Sequence, residues 1–349
     1  MNLLLLVASI AVAADQPQPT TVTEMWTAWC ARCHAEDGSG TIAEPTVMVE
    51  PMDFTDCKVA SREPDADWER AIAKGGPGVG LSPQMPAFED SLTTAQITAF
   101  VSHIRTFCTD TVWPIGNTNF PRPLITEKAF PEDEFVIRPA ISHYSERDAP
   151  SITTGSLKAV YERRFGRRSM FEIEVPFVTT NALLTRTGGL GDIALAVKHA
   201  VFSTNRQIIS AGVELAMPTG DRFKDHGSGT VVFEPFISAG TMAGNWYLQA
   251  EIKEELPVDI LRARRHFLYN VYAGRDTSAA PNTWTIGVEL NGEDRAVAVT
   301  PQIRKGLTGT GALAASAGVM LPLTKRELQG TRWVGYLLWE YLEPVRARR

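Results

Sequence analysis

Cys30 and Cys33, three positions apart, are followed at once by His34 in the stretch Trp29-Cys30-Ala31-Arg32-Cys33-His34. This is the spacing at which a c-type haem is attached. Each thiol can bond to one vinyl side of a porphyrin, and the adjacent imidazole can then reach the iron as proximal ligand. Two other chemistries use paired thiols. A zinc site would need a second ligand pair, but the remaining two of the four cysteines, Cys57 and Cys108, are isolated. A thioredoxin-like pair would follow a strand in a βαβ pattern, which is absent here. The spacing points to one covalent haem c.

The elements around the motif are helical. Residues 21–33 read as a helix carrying Trp26, Trp29 and both thiols, and Gly38 and Gly40 let the chain turn close to the motif. Residues 67–74 place Trp68, Ala71 and Ile72 on one side before Gly75-Gly76-Pro77-Gly78 breaks the helix. A proline-stiffened loop follows, Ser82-Pro83-Gln84-Met85-Pro86-Ala87-Phe88. A closing helix over 93–107 carries Ile97, Phe100, Val101 and Ile104 at helical spacing.

In that order, C-x-x-C-H, D-G-x-G, a helix ending in glycines, M-P-A-F and an aromatic closing helix, residues 15–113 resemble a class I monohaem cytochrome c. The resemblance implies a small all-α domain with Cys30 and Cys33 holding the haem and His34 and Met85 as axial ligands. A soft thioether suits iron, and a His/Met pair raises the potential relative to two imidazoles. Met48 and Met52 are the competing sulfur ligands. Cys57 and Cys108, an even pair in an exported chain, suggest a disulfide; two unpaired buried thiols are the alternative. His103 on the closing helix is expected at the surface.

The chain has 349 residues, with 44% hydrophobic content, and divides into parts of unlike charge. Residues 15–120 hold fifteen acidic and six basic side chains, against 25 and 28 in the remainder. Neither part has the basic stripe that nucleic-acid binding requires. Residues 3–14 form an apolar run ending in small residues, the pattern of a signal peptide over 1–14.

Prolines at 114, 121, 123, 131, 139 and 150 mark 114–150 as a semi-rigid extended connection, with 135–141 a candidate first strand. Residues 151–349 alternate with period two in segments of about ten, as in Trp246, Leu248, Ala250 and Ile252 against Tyr247, Gln249, Glu251 and Lys253. About eleven strands fit, twelve with the one in the connection. Their length and their terminal aromatics favour an antiparallel transmembrane β-barrel over a soluble β domain. An even strand count needs either the 135–141 segment as the twelfth or one strand fewer among the eleven; twelve strands place 218–229 in an outward loop. Two short motifs, Gly188-Gly189-Leu190-Gly191-Asp192 and Pro218-Thr219-Gly220-Asp221, resemble the phenol-degradation-associated (meta-pathway) outer-membrane barrels.

These readings together imply a multidomain protein at the bacterial outer membrane, with its haem domain in the periplasm. The function expected is electron transfer with periplasmic electron-transfer proteins, the barrel anchoring the haem in outer-membrane lipid or serving as a conduit. A peroxidase-like enzyme is the alternative, but no distal acid–base pair is evident, so no enzyme is expected. A soluble periplasmic redox sensor with a ligand-binding β domain is another. His143, His199, His226 and His266 are scattered singly and read as solvated or lumen residues. Arg262, Arg264 and Arg265 beside His266 read as a solvated strand end.

Overall fold

The computed structural model describes residues 20–41, 48–144, 151–182, 185–278, 280, 282–324 and 330–341. The expected signal peptide lies outside them. α1 (Val22–Met25), a π-helical stretch (Trp26–Cys30) and α2 (Ala31–His34) run end to end, opened by a reciprocal cap between Thr21 and Glu24. The run stops where Ala35 turns to a φ of 63°. α3 (Cys57–Ala60), α4 (Asp65–Gly78) and α5 (Thr94–Arg105) complete the helical part. Their apolar faces meet in one core that includes Trp26, Phe54, Trp68, Ile72, Phe100 and Ile104. Cys57 and Cys108 are joined by a disulfide.

The strands are β1 (Glu134–Tyr144), β2 (Ile152–Phe165), β3 (Ser169–Ala182), β4 (Thr185–Leu190), β5 (Ile193–Ser203), β6 (Gln207–Met217) and β7 (Val232–Ala243). They continue as β8 (Trp246–Pro257), β9 (His266–Asp276), β10 (Trp284–Glu293), β11 (Ala296–Gly306), β12 (Leu313–Pro322) and β13 (Thr331–Glu340). Every pairing is antiparallel, and β1 joins both β2 and β13, which closes the ring. β4 and β5 pair with successive halves of β3 and together make one strand of the wall. The result is a closed barrel of twelve strands, with β1 as the twelfth.

The split between β4 and β5 has a local cause. Pro176 on β3 has no N–H to give the ladder, and Gly191 N–H donates to its carbonyl at 2.8 Å. Asp192 leaves the wall to accept from Gly220 N–H and from Ser228 N–H and Oγ in the 218–231 loop. The Gly189-Leu190-Gly191-Asp192 segment is therefore a break inside one strand of the wall. Connection lengths do not alternate all the way round: 277–283 is long and 294–295 is tight.

The barrel is inside out relative to a soluble fold. Phe177, Leu337 and Trp333 are exposed at 50, 47 and 63%, whereas Glu162, Glu289 and Thr300 are wholly buried. An apolar exterior with charge in the interior is stable only where lipid replaces water outside. The barrel is of the outer-membrane type. Trp246, Trp284 and Trp339 ring one end, the one from which β1 starts and at which β13 stops; this is the near end below.

Residues 114–133 are not a spacer between two bodies. They leave the helical part, enter the ring from the near end and return to begin β1. Phe120, Leu124, Ala129 and Phe130 on this stretch are buried. It contacts strands on every side of a closed ring, so it lies in the lumen.

Candidate functional site

The lumen segment is held by polar side chains of the wall. Glu289 on β10 accepts from the backbone N–H groups of Leu124, Ile125 and Thr126 at 2.8, 3.0 and 2.7 Å, and from the Thr126 hydroxyl at 2.6 Å. Gln302 on β11 steadies the same carboxylate from the side at 2.5 Å. Glu251 on β8 accepts from Glu127 N–H at 3.0 Å, and Lys198 on β5 reaches the Glu127 carboxylate at 2.6 Å. Ser210 on β6 donates to the Ala129 carbonyl at 2.5 Å, Gln249 to that of Pro121 at 2.9 Å and Tyr336 to that of Arg122 at 2.7 Å. Arg122 in turn pairs with Glu134 and Glu162. Each buried charge in this set has a partner, which is what removal from water demands.

Along each strand the inner face changes character. On β2, Glu162 and Val160 are sealed, whereas Lys158, Ser156 and Thr154 nearer the far end are partly solvated. β6 and β13 repeat this, from sealed Ser210 to Glu214 and from sealed Tyr336 to Arg332. The near half is filled; the far half is a wet vestibule with the segment as its floor. His226 of the 218–231 loop is buried against the inward face of β4, its Nε2 at 3.1 Å from Thr187 Oγ1.

At the near end the helical part sits against the barrel. Arg62 is buried there between Glu340 of β13, Asp133 of the lumen segment and its own neighbour Glu63, and donates to the Tyr341 carbonyl at 3.1 Å. Arg168 in the β2–β3 turn donates to the Val112 carbonyl at 2.5 Å, and Arg167 pairs with Asp110 at 2.8 Å.

The predicted ligand residues border the helical core. Cys30 and Cys33 are free and half-buried, and burial beside Cys33 pushes the Cys30 thiol up to about 12. His34 stacks on Phe54 with ring centroids 4.9 Å apart, and its Nδ1 is buried with no hydrogen-bond partner. Burial holds its pKa below the ordinary imidazole value. Met85 packs on the same core, while Met48 and Met52 are exposed. Its loop is tied to α4 by Gly76 N–H donating to the Met85 carbonyl at 3.0 Å and Phe88 N–H to that of Ile72 at 3.1 Å. Gly75 holds a φ of 68° there, and a Cβ on it would lie 2.7 Å from the Met85 carbonyl oxygen. Two free thiols, an orphaned imidazole nitrogen and a thioether on one core are a donor set that fits haem c. His103 is not the solvated side chain expected: it is half-buried between Trp26 and Phe107, and its Nε2 has no partner.

The other histidines stay apart, as the sequence suggested. His143 meets Thr153, His199 meets Ser169, and His266 meets Asp294.

No protein-family profile and no curated relative matches this chain. Similar solved structures exist. An outer-membrane channel from Pseudomonas putida F1 superposes with a TM-score of 0.49 at 15% identity, covering 64% of this chain and 100% of that one. The KdgM porin in complex with disordered oligogalacturonate gives 0.43 at 10%, covering 60% and 99%, and the NanC porin 0.40 at 8%, covering 60% and 100%. The likeness is one of fold: a porin-like outer-membrane barrel.

Haem electron transfer, expected as the function of the chain, is corrected by the fold: most of the described chain is a closed barrel whose interior is polar and filled by its own residues. The similar structures are outer-membrane porins and channels. Among the described residues, no group of three or more His, Cys, Asp and Glu side chains could hold a metal ion. The larger part of the chain is a polar-lined barrel, and its chemistry is that of the lumen. The described helices are a small addition to the barrel and do not by themselves show a cytochrome domain.

Proposed function

We propose that this chain is an outer-membrane channel held shut by its own residues 116–133. The observation that supports this most is the Glu289 carboxylate, which collects three backbone N–H groups and a hydroxyl from the lumen segment. Hydrogen bonds to a charged group contribute about 1.5–3 kcal/mol each and are exchanged for bonds to water on release, so the plug is held firmly but reversibly. The near end is the periplasmic one, because twelve strands return the chain to the side on which it began. The helical part then caps the periplasmic mouth, and the vestibule opens outward to small solutes. The two motifs shared with phenol-degradation-associated barrels suit that role. In planar bilayers the full-length chain is expected to conduct little, and Glu289→Ala to conduct several-fold more. A wild type that conducts as an open pore, or a variant as silent as the wild type, would rule this reading out.

We further propose that Cys30 and Cys33 carry haem c, with His34 and Met85 as axial ligands. When bound, the group supplies a redox-active iron. The chain's own residues prepare the place for it. Trp26 and Phe54 keep water from His34, and Gly75 and Gly76 let the Met85 loop close on α4. Protein made in a host that matures c-type haem should keep its haem absorption through denaturing electrophoresis. Met85→Ala should abolish the weak near-infrared sulfur-to-iron band. Colourless protein from such a host would overturn the assignment.

A further inference from the structure

Three cations share one quadrant of the vestibule. Arg138 on β1 stands directly across the ladder from Lys158 on β2, and Arg332 on β13 stands across from Ser142, four residues from Arg138 on the same inward face of β1. All three point inward, since their sequence neighbours Pro139, Leu157 and Trp333 face lipid. The carboxylate that faces them is Glu174 on β3, 2.5 Å from Lys158 Nζ. Lys253 on β8, farther around the wall, is already matched by Glu214 and Glu234 at 2.8 and 3.2 Å. One carboxylate among three cations leaves a surplus of positive charge. Arg332 has no hydrogen bond or ion pair with any described residue, and Arg138 donates to the Leu124 carbonyl of the plug at 2.7 Å.

Like charges set across from each other on neighbouring strands destabilise a sheet. A cleft of one sign with low-dielectric walls concentrates counter-ions. Guanidinium groups present a fork that matches a carboxylate in two parallel hydrogen bonds. We propose that Arg138, Lys158 and Arg332 form a binding site for a small organic carboxylate on the vestibule floor. Glu174 is the internal precedent, a carboxylate already seated among them. A bound anion competes with the Leu124 carbonyl for Arg138 and so loosens the plug where it is deepest. This rests on the outward vestibule of the channel reading and names its solute class.

Calorimetric titration of the full-length protein in detergent with succinate tests the site. Wild type is expected to bind it, and Arg332→Ala to weaken binding about tenfold, the loss of one charged hydrogen-bonding group. Glu174→Gln removes the internal competitor and is expected to tighten binding several-fold, a gain that misfolding cannot produce. Absence of binding to wild type, or affinity indifferent to both substitutions, would overturn the proposal. The titration is read on the closed protein, so a plug that never opens in bilayers would sink the channel reading and leave this result standing.

Discussion

Asp67 on α4 faces Asp276, at the near end of β9. Burial and that second carboxylate lift its pKa to about 6, while Arg70 pulls the other way. A carboxyl raised above its unfolded value favours the folded state while it is protonated. Its contribution is fully present below about pH 4 and is lost as the pH rises through about 6. Asp67→Asn should therefore raise the unfolding temperature at pH 8 and leave it nearly unchanged at pH 4, read from tryptophan fluorescence of the full chain. Equal pH dependence in both proteins would remove Asp67 from this role. At this scale Cys30, Cys33 and His34 were legible because their spacing is a signature by itself. Glu289, Glu251 and Lys198 were not. A single charge in an alternating strand reads the same whether it meets water or a segment 165 residues away in sequence, as Glu289 meets Leu124.

Among the elements, Gly76 is the most constrained glycine of the helical part. A Cβ there would lie 1.8 Å from the Ser82 carbonyl oxygen, so the loop bearing Met85 would have to move off α4. Gly76→Ala is expected to destabilise the helical part by about 1–3 kcal/mol, measured by thermal unfolding. Gly309→Ala, with nothing within 4 Å, should have no effect and serves as the control. The helices were readable because their caps and apolar spacing are local, as the Thr93–Gln96 box that opens α5 illustrates. β1 was readable from parity. The β4–β5 break was not, because it depends on Pro176 lying opposite Gly191, a pairing that only the register supplies. Nor was the path of 114–133, whose prolines describe an extended chain equally well outside a barrel or within one.

For the whole molecule, twelve strands place both ends of the barrel on one side, which the channel reading makes the periplasmic one. Phe223 in the 218–231 loop is 90% exposed, so a cysteine there should react with an impermeant thiol reagent on intact cells. Thr204, in a near-end turn, should stay unlabelled until the outer membrane is opened. Ser228 is a poorer reporter than its loop position suggested, since Asp192 and the Thr230 carbonyl hold its hydroxyl. Labelling at 204 alone would invert the barrel. The central claim is that the lumen is closed by the chain itself, and a reversible tether tests it. Ser210 on the wall already touches Ala129 of the plug. In the Glu289→Ala background, Ala129→Cys and Ser210→Cys together should form a crosslink that returns single-channel conductance to the wild-type level. Reductant should restore it, with Glu289→Ala alone unaffected by either treatment. Conductance that persists with the crosslink formed would show that solute does not pass where residues 116–133 lie, and would contradict the account.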